Sequence, residues 1–92
     1  MTPLSIAQSL NSWWLHRYGA DSMSGNCGKL AYRLAARLPG ATVVSGTFCG
    51  QPGNHAWVEH HGQILDPSVS QYGDYPVLGD PTNYLARTRT TP

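Results

Sequence analysis

His55-Ala56-Trp57-Val58-Glu59-His60-His61-Gly62-Gln63-Ile64-Leu65-Asp66 is the stretch on which the fold turns. Two short runs carrying Trp57, Val58, Ile64 and Leu65 flank His61-Gly62, which resembles a two-residue hairpin turn with glycine at its second position. Such a turn pairs His60 with Gln63, Glu59 with Ile64, Val58 with Leu65 and Trp57 with Asp66. Side chains alternate between sheet faces, so His55, Trp57, Glu59, Ile64 and Asp66 are expected on one face and Ala56, Val58 and Leu65 on the other. His55 and Asp66 become diagonal neighbours, roughly 7–8 Å apart along the backbone, close enough for a carboxylate to reach an imidazole. A loop one residue longer would send Asp66 to the opposite face, so the register decides whether this pair exists.

Upstream, residues 41–49 are β-branched and aromatic and predict a strand with a bulge at Gly46, followed by turn chemistry from Gly50 to Asn54. Thr2-Pro3 reads as an N-cap followed by proline in the first helical turn. Leu4, Ala7, Leu10, Trp14 and Tyr18 then recur at helical spacing, predicting a helix over 3–18 that Gly19 stops. A second helix is predicted over 27–38. Leu30, Ala31, Leu34, Ala35 and Leu38 form its apolar stripe, Lys29, Arg33 and Arg37 lie on the other side, and Pro39-Gly40 ends it. Beyond Pro67 the chain is rich in Gly, Pro, Asp and Tyr and is expected to wrap the sheet without long regular elements, with residues 86–92 as a frayed tail. The expected fold class is α+β: two N-terminal helices packed on a small antiparallel β-sheet, one domain over 1–92.

Composition narrows the partners. Only 12% of the 92 residues are charged and the formal net charge is +1, which argues against a nucleic-acid or membrane-surface partner. No run approaches the ~20 apolar residues of a membrane span, and the start lacks the basic and apolar regions of a signal peptide, so a cytoplasmic location is expected. Cys27 and Cys49 are expected as free thiols, Cys49 in the core. Without a C-x-x-C pair or helical H-x-x-x-H spacing, no metal site is expected. His60 and His61 read as exposed turn residues, Trp13-Trp14 mainly as a core anchor and Tyr72, Tyr75 and Tyr84 as packing for the irregular C-terminal segment, the alternative being that one of the two indoles lines a groove rimmed by those tyrosines.

Cys27 opens the second helix, where free N–H groups and the positive dipole end favour thiolate over thiol. A neighbouring imidazolium, His55, would favour it further, with Asp66 orienting that ring. The Cys27 backbone N–H is one candidate oxyanion donor; Asn26 and Gln51 are candidates for a second. Trp57 is read either as packing or as a wall that holds His55 and excludes water.

The segments Asn26-Cys27-Gly28-Lys29-Leu30-Ala31, Asn54-His55-Ala56-Trp57-Val58-Glu59 and Gly62-Gln63-Ile64-Leu65-Asp66-Pro67-Ser68 resemble, in that order, the transglutaminase-like branch of the papain-fold superfamily over about residues 24–72. The resemblance implies a compact papain-like core and a Cys27-His55-Asp66 triad acting on an amide or thioester. The acyl-enzyme would pass to water, as in a peptidase or deamidase, or to an amine, as in a transglutaminase. It also implies a peptide or protein amide as substrate and no cofactor. The calcium-site motifs and accessory domains of larger family members are missing. A weaker likeness is to the leader peptidases that mature lasso peptides. The rival reading is a protein-binding module or inhibitor on the same scaffold that does not turn over. The small size also suggests a partner protein or second copy completing the cleft.

Overall fold

A computed structural model describes residues 1–92. Helix α1 spans Pro3–Tyr18, held at its start by the Thr2 side chain, which accepts from the Ser5 N–H at 3.0 Å. Gly19, at φ 83°, ends it with its N–H on Leu15 O. A 3-10 turn at Asp21–Met23 leads to helix α2, Cys27–Ala35. Regular α2 stops three residues short of the predicted end; Arg37 and Leu38 continue with shorter-range bonds to Leu34 O and Ala35 O.

Five strands follow, β1 (Thr42–Phe48), β2 (His55–His60), β3 (Gln63–Leu65), β4 (Leu78–Gly79) and β5 (Tyr84–Thr90), paired antiparallel in the order β4-β3-β2-β1-β5. The protein is therefore α+β, with two helices and a five-stranded antiparallel sheet. The central hairpin has the expected register: Val58 opposes Leu65, Glu59 opposes Ile64 and His60 opposes Gln63. Its cause is local. His61 and Gly62 both take positive φ, 49° and 76°, as a two-residue primed turn requires.

The segment expected to fray is instead a strand. Residues 84–90 pair with β1, and the Arg89 guanidinium bonds the Glu59 carboxylate of β2 at 3.0 Å across β1. The pairing slips between Ser45, opposite Thr88, and Gly46, opposite Ala86, which places the bulge at the predicted position. Gly46 is needed there because a Cβ would collide with the Leu85 carbonyl oxygen and approach the Trp57 ring to 2.9 Å.

One face of the sheet packs on the helices. Ala31, Leu34 and Leu38 meet Val43, Ala56, Val58 and Leu65 in a single buried cluster that Ala7 of α1 joins. Trp14, Met23 and Leu30 form a smaller one, while Trp13 stays 43% exposed. The other face is closed by curvature. Edge strands β4 and β5 would lie about 19 Å apart in a flat five-stranded sheet, yet only Asp80 and a 3-10 turn, Pro81–Asn83, join them. The five residue-to-residue steps from Gly79 to Tyr84 span at most about 18 Å fully extended, and a turn spans less, so the sheet must curl. Accordingly a Cβ on Gly79 would come within 2.7 Å of the Tyr84 ring. Val44 and Trp57, both with no solvent exposure, fill the concave side.

Candidate active site

Asp66 follows β3 directly, and its carboxylate has no solvent exposure. Four donors surround it. His55 Nε2 lies 2.7 Å from Oδ2, the Tyr84 hydroxyl donates to the same oxygen at 2.7 Å, and the Ser68 N–H and hydroxyl reach Oδ1 at 3.2 and 3.3 Å. Donors on both oxygens are what a buried carboxylate needs to remain charged. His55 opens β2 and is 1% exposed, with aromatic rings around it: Tyr72 at 5.0 Å, Trp57 at 5.8 Å and Phe48 at 6.0 Å between centroids.

With Nε2 turned to Asp66, His55 Nδ1 is the ring atom left over. It is buried and has no hydrogen-bond partner of good geometry. The Cys27 thiol lies close enough to this ring and to the Ala56 backbone N–H for both to act on its charge, though His55 Nδ1 makes no hydrogen bond of good geometry to it. Burial alone would raise the Cys27 thiol, but His55, the Ala56 and Gly28 N–H groups and the imidazolium charge outweigh it and hold the thiol below its ordinary value. Burial alone would lower His55. The Asp66 contact and the thiolate reverse that and lift it to about 9. Both shifts act in the direction of a thiolate–imidazolium pair. Tyr72 is pushed up to about 12, first by burial and then by the Cys27 and Asp66 charges, and remains a neutral phenol. Burial, reinforced by the Asp66 charge, also keeps Tyr84 protonated as a donor.

This electrostatics sets a pH dependence of stability. A histidine raised from about 6.5 unfolded to about 9 folded contributes stability that is complete below pH 6.5 and is lost as pH rises through 9. The amount is on the order of 3 kcal/mol. In the native chain the lowered Cys27 thiol acts in the opposite sense, contributing stability that is lost as pH falls through its folded value, so the two slopes offset each other. In Cys27→Ala, where the Asp66 contact still lifts His55 and no thiol opposes it, the urea midpoint should fall between pH 6.5 and 10. The native chain should show a flatter profile over the same range; equal midpoints at pH 6.5 and 10 in Cys27→Ala would contradict the His55–Asp66 ion pair.

The other residues singled out from the sequence are placed as follows. Asn26 precedes α2, but its side-chain amide donates to Ser22 O at 2.7 Å instead of capping the helix. The first-turn N–H groups of α2 therefore carry no side-chain cap, which suits a developing negative charge at Cys27. Gln51 is exposed in the loop between β1 and β2, its own N–H bonded to Phe48 O. Trp57 has no exposed surface, so it backs His55 and lines no substrate surface. Cys49, expected in the core, is exposed because the chain leaves β1 there at φ 47°. His60, expected in solvent, is 6% exposed, its Nε2 donating to Pro39 O at 3.1 Å, while His61 is exposed. Both cysteines are free, and no three His, Cys, Asp or Glu side chains converge in metal-binding geometry. No helix is long and apolar enough to cross a membrane.

Two members of the site went unread in the sequence, Ser68 and the Tyr84 hydroxyl. Ser68 had a local signal, since Asp-Pro-Ser places a hydroxyl and an N–H two residues after a carboxylate, an Asx-type turn. Tyr84 had none, because it reaches Asp66 only through the curl of the sheet.

Comparison with protein-family models, with curated proteins and with solved structures found no match. The chemistry rests on the geometry alone.

Proposed function

We propose that the protein is a thiol-dependent hydrolase or acyltransferase acting on amide or peptide bonds, on a compact papain-like or transglutaminase-like core. The observation that carries this reading is the buried His55 ring, fixed through Nε2 by Asp66 and turned toward Cys27, with Nδ1 held by no other protein group. Asp66 as orienting carboxylate, His55 as acid and base and Cys27 as nucleophile is the division of labour such a constellation performs.

In the proposed cycle the Cys27 thiolate attacks the amide carbonyl carbon, forming a C–S bond and an oxyanion against the N-terminal N–H groups of α2. Collapse breaks the C–N bond as His55 Nδ1–H protonates the leaving amine. Water or a second amine then attacks the thioester, giving its proton to His55, and the thiolate is restored as the acid or new amide departs.

Iodoacetamide labelling tests the activated thiol. Cys27 should be modified well before Cys49 although Cys49 is the more exposed, and its rate should persist at pH 6, where an ordinary thiol is below about 1% thiolate. Equal, slow labelling of both cysteines would refute the enzyme reading. One observation favours the non-catalytic alternative: at 1% exposure His55 is sealed, and the surface cavity nearest the nucleophile reaches Asn26 and Lys29 but not Cys27 or His55. Intact-mass detection of an acyl adduct on Cys27 after exposure to small amides, thioesters and peptides separates the two. A rapidly labelled thiol that never forms an adduct would favour the binding module.

A further inference from the structure

We propose that the outer surface shared by α1 and α2 is a docking groove for an extended acidic peptide segment that lies beside the reacting amide of the substrate. The site adjoins Cys27 but uses none of the triad, and its link to a substrate rests on the function proposed above.

Two cavities adjoin along this surface. One, about 360 Å³, is lined by Trp13, Tyr18, Asn26, Lys29 and Arg33 among others; the other, about 370 Å³, by Leu10, Trp13, Arg33 and Arg37 with Ser9. Trp13 and Arg33 line both, so the cavities sit side by side along α1 and α2, and the end nearest the nucleophile is Asn26, the residue before it. Trp13 and Tyr18 are 43% and 51% exposed, large rings for a monomer to leave in water.

Charge selects the occupant. The ion pairs of the structure are His55–Asp66 and Arg89–Glu59, so Lys29, Arg33 and Arg37 have no carboxylate partner. Of the six Lys and Arg residues, these three and Arg17 belong to the two helices and the turn that ends α2. The Arg33 guanidinium stands 5.3 Å from the Trp13 ring centroid, which holds it in place while leaving its charge unneutralised.

Spacing selects the conformation. Lys29 and Arg33 stand four residues, about 6 Å, apart along α2, and Arg37 follows four residues on, in the shorter-range turn that ends it. An extended peptide presents same-face side chains every ~6.6 Å. Alternate Asp or Glu residues thus meet successive cations with little mismatch, and the side chains between them can rest against the exposed rings. Nucleic acid fits less well: the whole chain carries a formal charge of only +1, and its other two basic residues, Arg87 and Arg89, lie on β5.

Fluorescence anisotropy on the Cys27→Ala protein tests this without turnover. The probes are a short fluorescein-labelled peptide with glutamate at alternate positions, its lysine counterpart, and a single-stranded oligonucleotide of similar length. The glutamate peptide should bind and the lysine peptide should not, and binding should weaken as NaCl rises. Arg33→Glu combined with Arg37→Glu should weaken it at least about tenfold, since like charges would then face each other, with an unchanged circular dichroism spectrum. If that variant misfolds, Lys29→Glu and the salt titration carry the same test. No binding of the glutamate peptide, equal binding of both peptides, indifference to charge reversal, or tighter binding of the oligonucleotide with the same sensitivity would each overturn the proposal. Peptide binding with an unreactive Cys27 in the native chain would refute the enzyme reading alone; a reactive Cys27 without peptide binding would refute the groove alone.

Discussion

On the proposed function, replacing Asp66 with Asn is expected to cut acyl transfer by about ten-thousandfold, as when the orienting carboxylate of such a triad becomes an amide. The reason lies in the proton positions. Asp66 accepts from His55 Nε2 at 2.7 Å, which leaves Nδ1 to exchange a proton with Cys27. An amide NH₂ facing Nε2 would make that nitrogen the acceptor and strand the ring proton on Nδ1. The imidazolium would also lose its counter-charge, so the His55 value would drop from about 9 and the thiolate fraction with it. The pH–rate profile for alkylation of Cys27 should accordingly move to higher pH. A profile in Asp66→Asn that overlays the native one would refute this role. Asp66→Ala should cost more in stability, roughly 3–5 kcal/mol, because it removes the shared partner of His55, Tyr84 and Ser68 in a buried setting.

Gly46→Ala is the second large effect and concerns the scaffold alone. The added Cβ would overlap the Leu85 carbonyl oxygen and press on the Trp57 ring, and neither neighbour can yield cheaply. One is backbone paired into the sheet; the other is a fully buried indole. Overpacking against backbone should cost about 3 kcal/mol or more, a fall of more than about 12 °C in Tm for a domain this small. Gly28→Ala is the control, since a Cβ there meets nothing within 4 Å and a helical alanine is favourable. If the two variants melted together, the close approach of β5 to Gly46 would be wrong.

What could be read from the sequence was what short-range chemistry dictates. Pro3 and Gly19 bound the first helix, and the His61-Gly62 turn fixes the hairpin register and hence the meeting of His55 with Asp66. Strand β5 was illegible because Arg87-Thr88-Arg89-Thr90 is exposed and polar on both faces, as an edge strand can be, so it carries no alternating apolar signal. Its pairing is a tertiary event, and Tyr84 was hidden with it. Cys49 and His60 failed for a related reason: each sits at the end of a strand, where one backbone angle or one contact to Pro39 decides exposure, and residue type carries no such information.

The division of the site between elements also has a kinetic consequence. His55 and Asp66 are eleven positions apart on one hairpin, the kind of unit that forms in about 1–10 μs. Cys27 arrives from a helix whose contact with β2 closes a longer loop and must wait for the sheet to offer a surface. Until that docking, the cysteine has neither the imidazolium nor the Ala56 N–H beside it and behaves as an ordinary thiol. On the proposed function, activation of Cys27 is thus a property of the finished fold, and a chain still searching for that fold carries it as an ordinary, slower-reacting thiol.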